Sequence, residues 1–245
     1  MKTLLSIGVF VFVILFGITS SAEAFTLNVT SDIHAGKQKK RDYSRYTQGN
    51  IVYPKKGEAF FKGFLAQKGD VYIALGDNSN KCSDAKKYDK KLAKAVAKSG
   101  KQVYFGFGNH DCDKGYKYLS SAKHYVVDKE GWRIIVLNGE EGDQTGGFSS
   151  SQLEWFEKQL DTDKKVVVAV SKPAFQIDLI TPKPTFKDFL SIVKKHDNIK
   201  HVLGGDYHVH HVTKEFEEYE GVKFHFVQAL TLKGSQGRYL KLELE

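Results

Sequence analysis

Four short groups of residues in this chain carry metal-binding chemistry: Asp32 with His34, Asp77, Asn109 with His110, and the run 204–211. Carboxylate, imidazole and amide oxygen all bind divalent ions, and with no thiolate among them the set suits Zn, Mn or Fe better than copper. At an extended strand end, residues two apart face the same way, so Asp32 and His34 could grip one ion. Each group alone says little, because Gly-Asp turns are common and a lone histidine after a strand is more often a surface residue than a ligand. Gathered at one place, they could hold cations that lower the pKa of a bound water.

A sheet edge is what would gather them, since each group follows an apolar stretch of strand type. Residues 25–31 alternate Phe25, Leu27 and Val29 against Thr26, Asn28 and Thr30. Residues 71–75 form a short apolar strand closed by Gly76-Asp77-Asn78, and 102–107 another closed by Gly108-Asn109. Strands are also expected over 132–137, 166–170 and from 201, with 209–213, 223–227 and 238–242 in the tail. Helices are expected over 56–67, 84–99 and 185–196, the second with Tyr88, Leu92, Ala95 and Val96 on one side and lysines on the other. Residues 149–151 should cap a fourth helix reaching about 160, with Ser151 and Glu154 as a capping box; 138–147 reads as a polar loop. This order, β-α-β units and then neighbouring strands, predicts a layered α/β domain with mixed sheets. There is no internal repeat, low-complexity stretch or linker.

At the N-terminus, Lys2, an apolar run over 4–18 and Ala22-Glu23-Ala24 have the pattern of a cleaved signal peptide, 1–24. The expected product is one domain, 25–245, with no later membrane span, secreted or periplasmic. Its net charge stays at +8, because the leader carries one Lys and one Glu. Such charge favours anionic partners in general; no zinc finger, glycine-rich nucleotide motif or recognition helix marks a dedicated nucleic-acid module. Lys37, Lys39, Lys40, Arg41 and Arg45 form a basic loop directly after Asp32-Ile33-His34, where it could overhang the site. Cys82 and Cys112 each follow a candidate metal group, and a bridge between them is expected in an oxidising location.

The order and separation of Ser31-Asp32-Ile33-His34, Gly76-Asp77, Gly108-Asn109-His110-Asp111 and a glycine-led histidine segment near residue 205 resemble the successive blocks of the calcineurin-like metallophosphoesterases, which include purple acid phosphatases and phosphodiesterases. The resemblance runs from Thr26 to about His211 and includes Gln152-Leu153-Glu154-Trp155-Phe156. It implies a four-layer α/β/β/α sandwich with two mixed β-sheets, one or two divalent ions, and a metal-activated water attacking phosphorus. Asp32, His34, Asp77 and His208 match ligands of a first metal. Asp77 matches the bridging carboxylate, Asn109 a ligand of a second metal, and His110 the histidine that contacts the phosphoryl group or helps protonate the leaving group. Asp111 would orient His110 or lie in solvent.

Two blocks depart from the family pattern. Where the family has a histidine two residues before a proline, this chain has Ser171-Lys172-Pro173, and protonated serine is a poor ligand. Lys172 would bind phosphate or face solvent. The glycine-His-x-His block reads Gly205-Asp206-Tyr207-His208, so that Asp206 stands for a second-metal histidine; an oxygen-rich second site favours harder ions such as Mn²⁺. A rival register pairs His208 with His210. His201, His211 and His225 read as surface or core-edge residues. The expected function is an exported phosphohydrolase acting on a phosphorylated small molecule or a phosphodiester, with an altered second metal site. The alternative is a catalytically weakened member that binds metal or phosphate ligands.

Overall fold

The computed structural model describes residues 24–42, 51–141, 147–172, 184–206, 208, 218–219, 221–234 and 237–245. Residues 1–23 of the leader, Arg45, Pro173, Tyr207, His210, His211 and the expected strand 209–213 lie outside the described residues.

Two mixed sheets dominate the architecture. The first has strand order β12-β1-β4-β5, from β1 (Phe25–Thr30), β4 (Val71–Ala74), β5 (Val103–Phe105) and β12 (Leu240–Leu244); β12 is antiparallel to β1 and the rest are parallel. The second runs β10-β11-β9-β8-β7-β6, from β6 (Tyr125–Lys129), β7 (Trp132–Leu137), β8 (Lys165–Val170), β9 (Ile199–Gly204), β10 (Glu218–Tyr219) and β11 (Val222–Phe226). Its four central strands are parallel and its two edges antiparallel. A small ribbon pairs β2 (Arg41–Asp42) with β3 (Ile51–Val52), so the basic stretch includes a short strand where the sequence suggested only loop.

Alternation along the strands builds the layers. On β7, Trp132, Ile134 and Val136 face the first sheet, while Ile135 and Leu137 face α4 (Ser150–Gln159) and α5 (Pro184–Lys195). On β4, Val71 and Ile73 meet the second sheet, whereas Tyr72 and Ala74 pack under α1 (Gly57–Leu65) and α2 (Cys82–Ser99). Side chains of successive strand residues point to opposite faces, so each buried strand feeds two cores at once. The result is an α/β/β/α sandwich, each fully buried Leu, Ile, Val or Phe contributing about 1.5–3 kcal/mol.

Helix boundaries show two local departures from expectation. Helix α2 starts at Cys82, two residues early, and ends at Gly100 in the left-handed conformation. The cap of α4 is Ser149, whose hydroxyl accepts from Gln152 N, so the pair is Ser149 and Gln152, not Ser151 and Glu154. The Gln152 side chain is engaged elsewhere: its amide accepts from Asn138 N (2.8 Å) and donates to Asn138 O (2.9 Å), tying α4 to the loop after β7.

Cys82 and Cys112 form a disulfide with 5.1 Å between Cα atoms. It joins the start of α2 to the residue before α3 (Asp113–Tyr116), hence the loop after β4 to the loop after β5. Closing a loop of this length stabilises a chain by about 3–4 kcal/mol. Native protein should therefore show no alkylatable thiol by intact mass, and replacing both cysteines by serine should lower unfolding free energy by about that amount. Two freely alkylated thiols, or an unchanged denaturation midpoint in the double variant, would contradict this.

Candidate metal centre

Parallel strands place the chemistry at one edge. The backbone just past β1, β4, β5 and β9 carries Asp32 and His34, Asp77, Asn109 and His110, and Asp206 and His208. The convergence of Asp32 and His34 does not come from extended geometry, as the sequence suggested. The strand stops at Thr30, and both residues adopt left-handed backbone, with φ of 51° and 45°. Asp77 (49°), Asp206 (68°) and His208 (52°) do the same. Among the described residues only one other non-glycine residue, Glu130, has positive φ. Left-handed backbone is unfavourable for residues with a Cβ, so its concentration here marks a site at which geometry is imposed by the surroundings.

Backbone hydrogen bonds impose it. His34 N donates to Asp77 O (2.8 Å), Asp32 N to Gly76 O (3.1 Å) and Ala35 N to Asn78 O (2.9 Å), lacing the first loop to the second. His110 N donates to Asp77 Oδ1 (2.8 Å) and Asp206 N to Asp32 Oδ2 (3.0 Å), so two further loops are fastened directly to carboxylates. Gly205 has no alternative here, since a Cβ would fall 1.7 Å from Ser31 Oγ, the hydroxyl that donates to Asp32 Oδ2.

Asp32, His34, Asp77 and His208 are buried and offer ligand atoms that all lie within 4.8 Å of one another. His34 Nε2 stands 2.9 Å from His208 Nε2, 3.7 Å from Asp32 Oδ1 and 3.8 Å from Asp77 Oδ2, and His208 Nε2 is 3.1 Å from Asp32 Oδ1. Ligands held about 2.0–2.2 Å from a divalent ion stand about 3–4 Å apart, so the set fits one ion. The burial of two carboxylates facing two imidazole nitrogens supports the same conclusion, because lone pairs converging away from water need a cation.

The electrostatics divide the carboxylates. Burial pushes Asp32 up, but His208 and then His34 outweigh it and hold the group well below the usual range. Asp77 goes the other way: burial, then repulsion from Asp32, Asp111 and Asp206, raise it well above the usual value. Burial lowers His34 to about 4 and His110 to about 3, so both imidazoles are neutral near pH 7. Neutral imidazole is the metal-binding form.

His110 is half-buried with its ring edge-on to His34, centroids 4.9 Å apart. Its Nδ1 is 3.1 Å from Asn80 O and 3.3 Å from Arg41 Nη1, while the Arg41 guanidinium also donates to Asn80 O (3.0 Å). Among its described residues the basic stretch thus delivers one cation, Arg41, to the site. Asn109 is exposed, its amide 3.2 and 3.3 Å from the Asp77 oxygens when the NH₂ group donates to them.

Asp111 neither orients His110 nor lies in solvent. It is buried and accepts from Asn78 N (2.8 Å), Ser79 N (3.1 Å), Asn78 Nδ2 (2.9 Å) and Gly108 N (3.0 Å), clamping the loops after β4 and β5 beside the disulfide. Ser171, at the end of β8, is buried with its hydroxyl lacking a hydrogen-bond partner. Asp206 and Lys172 are half-buried, and Asp206 is not among the four clustered ligands. Sequence reasoning passed over Glu140, which lies within electrostatic reach of Lys172, Asp206 and Asp111. Its position three residues past the end of β7, like the ligands past their strands, was the available signal. His201 and His225 lie 3.0 Å apart (Nδ1 to Nε2) on β9 and β11, away from this cluster.

The calcineurin-like phosphoesterase family profile matches residues 25–210. Among solved structures the fold is similar to a dimetal phosphatase from Danio rerio (TM-score 0.68, 13% identity, covering 90% of this chain and 92% of that one). It is also similar to the calcineurin-like phosphoesterase YfkN from Bacillus subtilis (TM-score 0.53, 13% identity, 91% and 85%) and to GAP50, the anchor in the inner membrane complex of Plasmodium (TM-score 0.54, 9% identity, 84% and 71%). No curated protein matches the sequence. At these identities the structural likeness is one of fold, and the profile over most of the chain, together with the four-ligand cluster, supplies the rest: this chain belongs to the calcineurin-like phosphoesterase family, and its site is that of a metal-dependent phosphoesterase.

Proposed function

We propose that this chain is an exported phosphohydrolase that cleaves a phosphomonoester or phosphodiester at a metal centre with one complete ligand set. The observation that carries the reading is the buried group Asp32, His34, Asp77 and His208 with His110 and Arg41 beside it. In this reading the four residues hold a divalent ion, which supplies a water of lowered pKa and polarises the phosphoryl oxygens. The chain's own groups do the rest. Arg41 offers a guanidinium that binds a phosphoryl oxygen and orients it toward His110. His110, neutral and with Nδ1 accepting from Arg41 Nη1 in the tautomer that carries the proton on Nε2, donates a hydrogen bond from Nε2 that positions the phosphoryl group and its leaving oxygen. At the second position Ser171 stands for an imidazole, leaving Asp77, Asn109 and Asp206 as its only family-type donors. That depletion also favours a second reading, ligand binding with little turnover. Export is supported by the leader-like residues 1–24 and by the disulfide, which persists only in oxidising surroundings.

Chelation should abolish phosphatase or phosphodiesterase activity and added Mn²⁺ or Zn²⁺ restore it; substrate binding that survives chelation with no turnover in any metal would favour the second reading. Asp77→Asn should lower kcat/KM by at least about 100-fold, because the carboxylate serves the ion and accepts from His110 N. Arg41→Ala should cost about 10-fold, mostly in KM. Kinetics at saturating metal that rank Arg41→Ala below Asp77→Asn would remove the ion from the centre of the mechanism.

Proton linkage gives a further expectation. His34 has no proton to lose near neutral pH, whereas Asp77, raised by burial and its neighbouring carboxylates, must give one up to bind an ion. Ion binding should release protons, and affinity should rise with pH above 3.8 for as long as Asp77 keeps its proton. Titration calorimetry in two buffers of different ionisation heat measures this. Affinity independent of pH from 3.8 upward, with no proton release, would contradict the assignment.

A further inference from the structure

Three parallel neighbours in the second sheet end together. Leu137 of β7 pairs with Val170 of β8, and Val170 with Gly204 of β9. A few residues past these ends stand Glu140, Lys172 and Asp206, with Lys172 on the middle strand. The backbone seats it closely. Gly205 N donates to Ser171 O (3.1 Å), and Gly139 has no side chain where a Cβ would come 3.2 Å from Lys172 Cβ and from Lys172 O. On the other side Ser171 Cβ packs against Gly76, where an added Cβ would be 2.5 Å away, so this strand end abuts Asp77.

The donors here are poor ones for a second metal ion. Both family-type imidazoles are absent, replaced by Ser171 and Asp206. Ser171 is 4% exposed and its Oγ has no hydrogen-bond partner, and Glu140 Oε1 is likewise buried without one. Lys172 acts electrostatically on both Glu140 and Asp206. A lysine ammonium is a compact, strongly hydrated point charge with three donors, suited to stand among oxygens.

We infer that the Lys172 ammonium group, at the strand ends it shares with Glu140 and Asp206, takes the place of a second metal ion beside Asp77, so that the chain works with one divalent ion and one built-in cation. The inference rests on the metal-centre reading above and goes beyond it by assigning the second positive charge to the chain itself. Lys172 would then be fixed in charge and number, where a weakly held second ion would come and go with metal supply. Glu140 gains a role as the group that positions Lys172.

Metal-stripped full-length mature protein titrated with Mn²⁺, with elemental analysis of the washed product, tests this. Wild type should bind one ion per chain. Lys172→Met, which keeps most of the stem and removes the charge, should bind two, the second at least tenfold tighter than any second event in wild type. Lys172→Arg keeps the charge and should remain at one, which guards against misfolding as the cause of a change. Adding Glu140→Gln to Lys172→Met should weaken the second ion again by about tenfold. Two ions of equal affinity in wild type, or one ion in folded Lys172→Met, overturns the inference. No ion in wild type overturns the metal-centre reading instead, and one ion with no turnover on any phosphoester overturns the hydrolase reading while leaving the stoichiometry to judge Lys172.

Discussion

Carboxylates brought together away from water repel one another and lose hydration, and the arrangement of this molecule's active edge follows from how each one is compensated. Asp32 is compensated by two imidazoles, the Ser31 hydroxyl and the Asp206 amide. Asp111 takes four N–H donors and becomes a structural clamp. Asp77 accepts from the His110 amide and an Asn109 side chain, with the neutral His34 ring 3.8 Å away, too little for a group facing Asp32, Asp111 and Asp206. Its unmet charge is what makes the place attractive to a cation. The same requirement extends outward, where Lys172 acts electrostatically on Glu140 and Asp206.

Holding these groups together works against the backbone. Five ligand or ligand-like residues adopt left-handed conformations, each costing about 1–2 kcal/mol. The structure offsets this with redundancy: loop-to-loop amide bonds, carboxylates that accept from the next loop, and a disulfide across two of the loops. The sandwich beneath is what makes such redundancy possible, because parallel strands deliver all four loops to one edge while two sheets and four helices bury the strands themselves.

Much of this was legible in the sequence, and the reason is periodicity. Alternating apolar residues marked the strands, and short glycine-led turns after β4 and β5 marked where Asp77 and Asn109 would emerge, as Ser31-Asp32-Ile33-His34 did after β1. The cysteine pairing was legible because both residues follow such turns. What could not be read was anything set by contacts between loops. Asp111 looks like a surface acid until Asn78, Ser79 and Gly108 are seen to enclose it, and Ser149 as the cap depends on Gln152 having its side chain drawn to Asn138. Arg41 stood among five basic residues of equal standing, and only the β2 to β3 ribbon singles it out. Glu140 was hidden in a loop whose composition suggested solvent.

The left-handed backbone at residues 32, 34, 77, 206 and 208 also limits how this site can drift. Random substitution meets two filters there, one chemical and one conformational. Alanine and most other residues fail both, whereas asparagine and glycine fail only the first, since they accept positive φ. A descendant of this protein that no longer needed its ion would therefore slide toward asparagine or glycine at these five places and keep its shape, so that decay of the chemistry would leave a folded relic with a recognisable outline.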